Sequence, residues 1–393
     1  MTALSTQVCV AGAGPAGLVL AIALGRAGID CTVVERRPRA YLEQQARAGF
    51  LEHRVVAYLR EQGVAPGLDQ GMSHARCEFR LPDRRFCLPY GELAGGFAHT
   101  VYPQHLLVAD LIATLLAEGG KILFEYAITG VTGLDGDRPK VTCRADQGPP
   151  VDIACDLVAG CDGWRGVTRT AVPAGPRTVA VRYPFNWLTL LAEVPPDADQ
   201  VVYALHDNGF AGQMPRTPKV SRFYLACPPE SAVADWPDDR VWKELGERLS
   251  TGGAPAPRPG PILDKGMLAM RSAVTEPMQY GRLFLAGDSA HPLTPVGAKG
   301  MNLAIADAAH LAGAMTAYYR DGDESRLRGY SDSRLPLVWR AHEFSDRFLR
   351  MLHPAGSDYE DALGRSRWDQ LERNSAAARV FAAEYVGSGP LIA

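Results

Sequence analysis

The sequence predicts an α/β fold: a Rossmann-type dinucleotide-binding domain, an inserted antiparallel-sheet domain, and a helical C-terminal region. Three observations predict it. The run Gln7–Ala11 leads through glycines into a helical stretch from Pro15 to Ala27, then into a second strand-like run from Ile29 to Glu35. That is the order of a parallel β-turn-α-β unit with a right-handed crossover. From about 180 to 270, alternating and aromatic segments (186–193, 200–205 and 221–227) are broken by Pro and Gly, the texture of an antiparallel sheet with polar residues on one face. Residues 282–287 return to the buried-strand pattern, 301–319 form a long apolar helix, and 325–386 read as mostly helical. The divisions that follow are 1–179, 180–268 and 269–393. Within the first, apolar positions 106, 107, 110, 111, 114 and 115 share one helical face, and strands are expected at 121–126, 140–144 and 151–160.

Bulk properties narrow the class. A chain of 393 residues has room for two or three domains at roughly 100–200 residues each. With 47% hydrophobic and 22% charged residues it has an ordinary globular composition. A net charge of −3 without a dense Lys/Arg run argues against a nucleic-acid partner. The eight cysteines form no CxxC pair and no zinc-finger spacing, so they read as reduced structural thiols and no metal site is expected. No apolar run approaches the roughly 20 residues that span a bilayer, and no charged-then-apolar leader opens the chain. The expectation is a cytoplasmic protein without a membrane partner. The short basic cluster Arg36, Arg37, Arg39 calls for a local explanation.

Gly12, Gly14 and Gly17 spell GxGxxG between the first strand and the first helix. The glycines serve a tight turn, close approach of backbone to a pyrophosphate, and close helix–strand packing. The helix N-terminus offers free N–H groups and its positive dipole end to phosphates, and Pro15 suits the first turn. Glu35, at the end of the second strand, is placed to accept hydrogen bonds from ribose hydroxyls. This pattern alone leaves FAD and NAD(P) open.

Two later motifs choose FAD. Asp162-Gly163 follows the apolar run 157–160, and Gly287-Asp288-Ser289-Ala290-His291 follows 283–286. With GxGxxG ahead of them in this order, the sequence resembles the flavoprotein aromatic hydroxylases, in which the late Asp, here Asp288, contacts the ribityl chain. The stretch Pro295–Asn302 leads with glycines into the apolar helix. Backbone N–H groups and a helix dipole there suit the anionic side of a reduced flavin.

Arg47-Ala48-Gly49, Tyr183-Pro184-Phe185, Ser221-Arg222, Glu276-Pro277-Met278-Gln279, Gly297–Leu303 and Tyr385-Val386-Gly387 are similar to the branch of that family that hydroxylates 4-hydroxybenzoate. The resemblance implies that Arg216 and Tyr224 hold the substrate carboxylate, and that Tyr203 meets the phenol. Tyr385 would stand behind Tyr203, with His74 at the solvent end of a proton relay. It implies that Pro295 offers its carbonyl near the substrate hydroxyl, and that Arg47, Gln104, Asp162, Asp288, Gly300 and Asn302 bind or support FAD. Arg222 would assist flavin movement, and Lys299 would supply positive potential. Arg36, Arg37, Tyr41, Arg165 and Arg271 would meet the reductant, with NADPH favoured over NADH by the arginines, although Gln45 and Arg165 replace an arginine and a histidine of the relatives. A homodimer is implied as well.

One departure stands out. Met214 occupies the position of a carboxylate-binding serine and has no hydrogen to donate, which leaves 3-amino-4-hydroxybenzoate and 4-aminobenzoate open beside 4-hydroxybenzoate. A flavin reductase or dehydrogenase without oxygen insertion is the rival of another class. A non-catalytic FAD-binding regulator has no need of a tyrosine relay.

Overall fold

The computed structural model describes residues 2–45, 49–145, 149–173, 177–198, 200–353 and 356–391. Five parallel strands form the first sheet, in the order Leu283–Leu285, Leu157–Gly160, Val8–Ala11, Cys31–Glu35 and Lys121–Phe124, and the short strand Gln279–Tyr280 lies antiparallel at one edge. The central strands are buried throughout, because helices cover both faces of such a sheet; VCVA and LVAG are therefore continuous apolar runs rather than alternating ones. The helix Pro15–Arg26 packs against Lys299–Asp321 and also against Gln104–Ala117. The expected strand 151–160 divides in two. Val151–Ala154 joins a four-stranded sheet with Thr2–Ser5, Lys140–Ala145 and Tyr126–Thr132, whereas Leu157–Gly160 belongs to the parallel sheet. The first piece alternates, with Asp152 on its open face, and the second is continuously buried, so a change of period marks the switch at Cys155-Asp156.

The second sheet has seven strands, in the order Ile262–Glu276, Arg177–Ala192, Val220–Cys227, Ala211–Thr217, Val201–Ala204, Cys77–Leu81 and Arg84–Leu88. Neighbours run antiparallel except Val201–Ala204 and Cys77–Leu81, which are parallel, with Tyr203 opposite Phe79. It is thus wider than residues 180–268 and not wholly antiparallel. The two extra strands come from a segment whose mixed pattern gives no local clue to a partner so far along the chain.

Strand alternation then sorts the side chains. One face carries Leu188, Leu190, Val202, Phe223 and Leu225 against Trp236 and the helix Asp238–Leu249. On the other face Tyr203, Gly212 and Tyr224 lie side by side in register, and Met214 lies opposite Arg222. This face is the wall of a cavity.

The helices Tyr330–Met351, Asp358–Arg373 and Ser375–Val386 complete the fold. The Asn374 side chain caps the last by accepting the N–H groups of Ala376 and Ala377 at 3.0 and 3.3 Å. This helix buries Tyr385 among Phe344, Phe348 and Phe381. Among the described residues, no helix is long and apolar enough to cross a membrane.

Candidate active site

The first cleft opens where the parallel strands end. Gly12, Gly14, Glu35, Arg36, Arg37, Tyr41, Gln104, Asp162, Asp288 and Gly300 are among its lining residues. Gly12 has φ of +97°, and a Cβ there would stand 2.5 Å from the Cys161 carbonyl oxygen. A Cβ on Gly17 would stand 2.0 Å from the Gly12 oxygen, so the helix can approach the strand only with glycine at 17, while Gly12 is required by its own φ and by the neighbouring strand end. Gly14, by contrast, has nothing within 4 Å of where a Cβ would stand, which leaves room for a pyrophosphate against the backbone. The Glu35 oxygens accept the N–H groups of Ala13 and Arg37 at 2.9 and 2.8 Å. Each retains a second lone pair for a ribose hydroxyl. Asp162 holds the following turn through Thr168, its oxygens accepting Thr168 Oγ1 at 2.6 Å and Thr168 N at 3.0 Å. The residues present therefore fit a dinucleotide such as FAD. Arg47 lies outside the described residues.

Asp288 is exposed and lines both this cleft and the next. Its turn is pinned from beneath by a group the sequence reading missed. Buried Asp307 accepts the Gly287 N–H at 2.9 Å, His291 Nε2 at 2.5 Å and Arg334 Nε at 2.8 Å. Although burial opposes the charge, His291 and Arg334 hold the Asp307 carboxyl down to about 2. A lone Asp in an apolar helix was the available signal. Replacing it, Asp307→Asn, leaves the Arg334 guanidinium uncompensated and is expected to destabilise the fold by about 3–5 kcal/mol, read as a lowered denaturant midpoint. Because the folded pKa lies below the unfolded one, the wild-type contribution is complete above the unfolded value. It is lost as pH falls toward 2.

Lys299 and Asn302 support the site from behind and do not line the two clefts. Lys299 Nζ donates to Glu52 Oε1 at 2.6 Å and to the Tyr385 carbonyl at 2.9 Å, and burial holds the ammonium below its usual pKa. Asn302 accepts the Glu52 N–H at 2.9 Å and donates to the Phe50 carbonyl at 3.0 Å.

The second cavity, about 200 Å³, adjoins the first. Tyr203, Gly212, Met214, Tyr224, Pro295 and Tyr385 line it together with Trp187 and Phe210. The hydroxyls of Tyr203 and Tyr385 stand 2.8 Å apart, and burial raises the pKa of both phenols, so the pair stays neutral. The Pro295 carbonyl already accepts the Ala298 N–H at 3.0 Å. Arg216 lies beside the cavity, 7% exposed; burial lowers its pKa to about 10, with Tyr224 opposing the shift and Arg222 adding to it. His74 is buried too, its ring tilted against Phe50 at 6.1 Å.

Two groups of cations flank the first cleft. Arg37 lies over the Tyr41 ring at 4.8 Å. Arg169 and Arg271 lie over Trp164 at 4.1 and 5.5 Å, Arg182 is directly opposite Arg271 in the sheet, and Arg165 and Arg182 together lower the Arg271 pKa after burial does. Like charges placed opposite one another destabilise a sheet, so this gathering fits an anionic ligand. Arg182 was not legible in the sequence, since the cross-strand register brings it in; Trp164 and Arg169, in the segment after Leu157–Gly160, were missed as well.

Residues 5–345 match the family described as FAD binding domain. The chain is 36% identical to p-hydroxybenzoate hydroxylase of Acinetobacter baylyi, over 98% of this chain and 96% of that protein. It is 27% identical to a probable NADH-specific resorcinol 4-hydroxylase of Rhodococcus jostii, over 85% of this chain and 63% of that one. The crystal structure of p-nitrophenol 4-monooxygenase from Pseudomonas putida superposes with a TM-score of 0.84 over 99% of both chains; at 18% identity this is a likeness of fold.

Proposed function

The chain belongs to the flavoprotein aromatic hydroxylases that carry this FAD binding domain, and from that premise we propose that it hydroxylates 4-hydroxybenzoate ortho to the phenol. The product is 3,4-dihydroxybenzoate, and NAD(P)H and dioxygen are the co-substrates. The observation that carries this reading is the Tyr203–Tyr385 hydroxyl pair, 2.8 Å apart, in the wall of a cavity that shares Gln104, Asp288, Gly300 and Met301 with the dinucleotide cleft.

When bound, FAD supplies the redox and oxygen-transfer chemistry. Gly12, Gly14, Gly17, Glu35, Gln104, Asp162, Asp288 and Gly300 hold it, with Lys299 and Asn302 fixing the helix entry. Arg216 and Tyr224 take the carboxylate, since a guanidinium offers paired, charge-assisted hydrogen bonds. That places the phenol at Tyr203. Tyr203 accepts its proton as it passes its own to Tyr385, which in turn releases one toward His74 and solvent, so neither tyrosine becomes an ion. The ionised ring is electron-rich at the ortho carbon. Arg36, Arg37, Tyr41, Arg165 and Arg271 meet the reductant, and the added charge of Arg182 favours NADPH. A cytoplasmic homodimer belongs to the same reading.

Met214 favours a second substrate of the same class. It is buried in the cavity wall where a hydroxyl would help a carboxylate, so an amino-substituted relative such as 3-amino-4-hydroxybenzoate or 4-aminobenzoate is the competing reading. NADH and NADPH oxidation by the FAD-loaded protein, run over para-substituted benzoates with products identified by mass, tests both. Gain of one oxygen by 4-hydroxybenzoate supports the first; hydroxylation of an amino relative alone supports the second. Nucleotide oxidation without an oxygenated product would mark a flavin reductase. If the first holds, Met214→Ser is expected to tighten 4-hydroxybenzoate binding by about 0.5–1.5 kcal/mol, visible as a lower KM at unchanged kcat.

A further inference from the structure

Behind Tyr385, on the side away from Tyr203, lies a buried polar group that the reading above does not use. A three-stranded sheet of Phe50–Leu51, His99–Val101 and Met72–His74 places His74 directly opposite His99. The Tyr90 hydroxyl donates to the His74 backbone carbonyl at 2.5 Å, and His99 Nδ1 lies 3.1 Å from the same hydroxyl. Both rings meet Tyr385 edge-on, Tyr90 with centroids 4.9 Å apart and His99 at 5.0 Å, and Phe50 stacks on His99 at 4.1 Å.

The Tyr90 hydroxyl has one hydrogen and two neighbours. A carbonyl has no hydrogen to give, so the single Tyr90 hydroxyl hydrogen goes to His74. His99 Nδ1 stands within hydrogen-bond reach of the same oxygen, which ties the two side chains together. Burial drives His99 well below its ordinary pKa, with the Lys299 ammonium adding to the effect and a contact with the Tyr385 backbone opposing it, so the ring is neutral. The groups that face this pair are Tyr385 from the last helix, Lys299 with Glu52 from the helix entries, His74 from the neighbouring strand, and Tyr203 beyond Tyr385.

We propose that His99 and Tyr90 are positioning residues for the tyrosine relay, a hydrogen-bonded brace that sets the Tyr385 ring and thereby the Tyr203–Tyr385 hydroxyl contact. The proposal rests on the reading that this pair deprotonates the substrate phenol. A neutral brace suits the task, because a cation here would compete with Lys299 for the Tyr385 carbonyl. The hydroxyl of Tyr90 links the brace to the backbone of His74, so losing it frees the His99 ring while keeping the aromatic contact with Tyr385.

The test compares Tyr90→Phe, His99→Leu and His99→Asn in the FAD-loaded enzyme. Asparagine keeps an amide that can donate or accept near the position of Nδ1. The readout is the pH midpoint at which bound 4-hydroxybenzoate ionises, followed by ultraviolet difference absorbance, with kcat and KM beside it. Misplacement of reacting groups by about 1 Å can cost about 100-fold in rate; Tyr90→Phe and His99→Leu are expected to raise the midpoint and to lower kcat by about 10- to 100-fold at nearly unchanged KM. His99→Asn is expected to recover most of both. A fall in thermal stability with midpoint and kcat unchanged in Tyr90→Phe and His99→Leu would overturn the proposal and leave the pair as packing. If the unsubstituted enzyme does not ionise the phenol on binding, the functional reading falls and takes this proposal with it. If the unsubstituted enzyme ionises it and the variants match, the brace alone falls.

Discussion

Replacing Arg216 with alanine is expected to lower kcat/KM for an aromatic carboxylate by about 2–5 kcal/mol, or roughly 30- to 5,000-fold, the range for truncating one partner of a buried charge pair. The magnitude follows from where the guanidinium sits. It is 7% exposed, and burial, with Arg222 adding to it, pulls its pKa down to about 10. A substrate carboxylate would restore what burial takes away. Lysine in its place keeps the charge but not the paired donors, so Arg216→Lys should fall between the two. The control is a substrate without the charge. With 4-hydroxybenzaldehyde the loss should be small, and equal losses for acid and aldehyde would show that Arg216 merely holds the sheet together. FAD retention, measured on the same preparations, separates either result from misfolding.

The second large effect is expected from Tyr203→Phe. General acid–base groups contribute about 10²–10⁴-fold, and here the loss should fall on kcat with substrate affinity nearly kept, because the ring still fills the cavity wall. It should also depend on pH in one direction. A phenol ionises unaided as pH approaches its own pKa, near 10 for a tyrosine-like group, so the deficit should shrink as pH rises. A deficit independent of pH would mean that Tyr203 acts by shape rather than by proton transfer. Tyr385→Phe should behave alike, since the two hydroxyls are in contact. The double variant should then lose little more than either single one, as expected of residues that act as a unit.

How much of this was legible in the sequence divides along a physical line. Gly12, Gly14, Gly17, Glu35, Asp162 and Asp288 could be read directly, because turns, strand ends and helix starts have local composition. The central strands and the long helices were legible from apolar runs and helical periodicity. What stayed hidden depends on register between distant segments. No local pattern announces that Cys77–Leu81 will pair beside Tyr203, that Arg182 will stand opposite Arg271, or that His99 will stand opposite His74. Asp307 was hidden for another reason. A carboxylate in an apolar helix has the same spelling whether it faces solvent or clamps a loop through His291, Gly287 and Arg334. The resemblance supplied Tyr385 and Arg216 with roles that spacing could not; their burial now gives those roles a physical basis to test.

The parallel joint between Val201–Ala204 and Cys77–Leu81 has a consequence for how the protein is made. The hairpin partner of Cys77–Leu81, Arg84–Leu88, covers only one of its edges. The other stays open until the strand bearing Tyr203 has been synthesised, after most of the parallel sheet. An uncovered strand edge is a template for any passing chain. At about 5–20 residues per second that interval is on the order of ten seconds for every molecule translated. Slower translation lengthens the exposure while cooling weakens the association it invites, so the yield of folded protein should answer to how soon Phe79 finds the ring of Tyr203, with which it stacks at 5.5 Å, rather than to the stability of the finished fold.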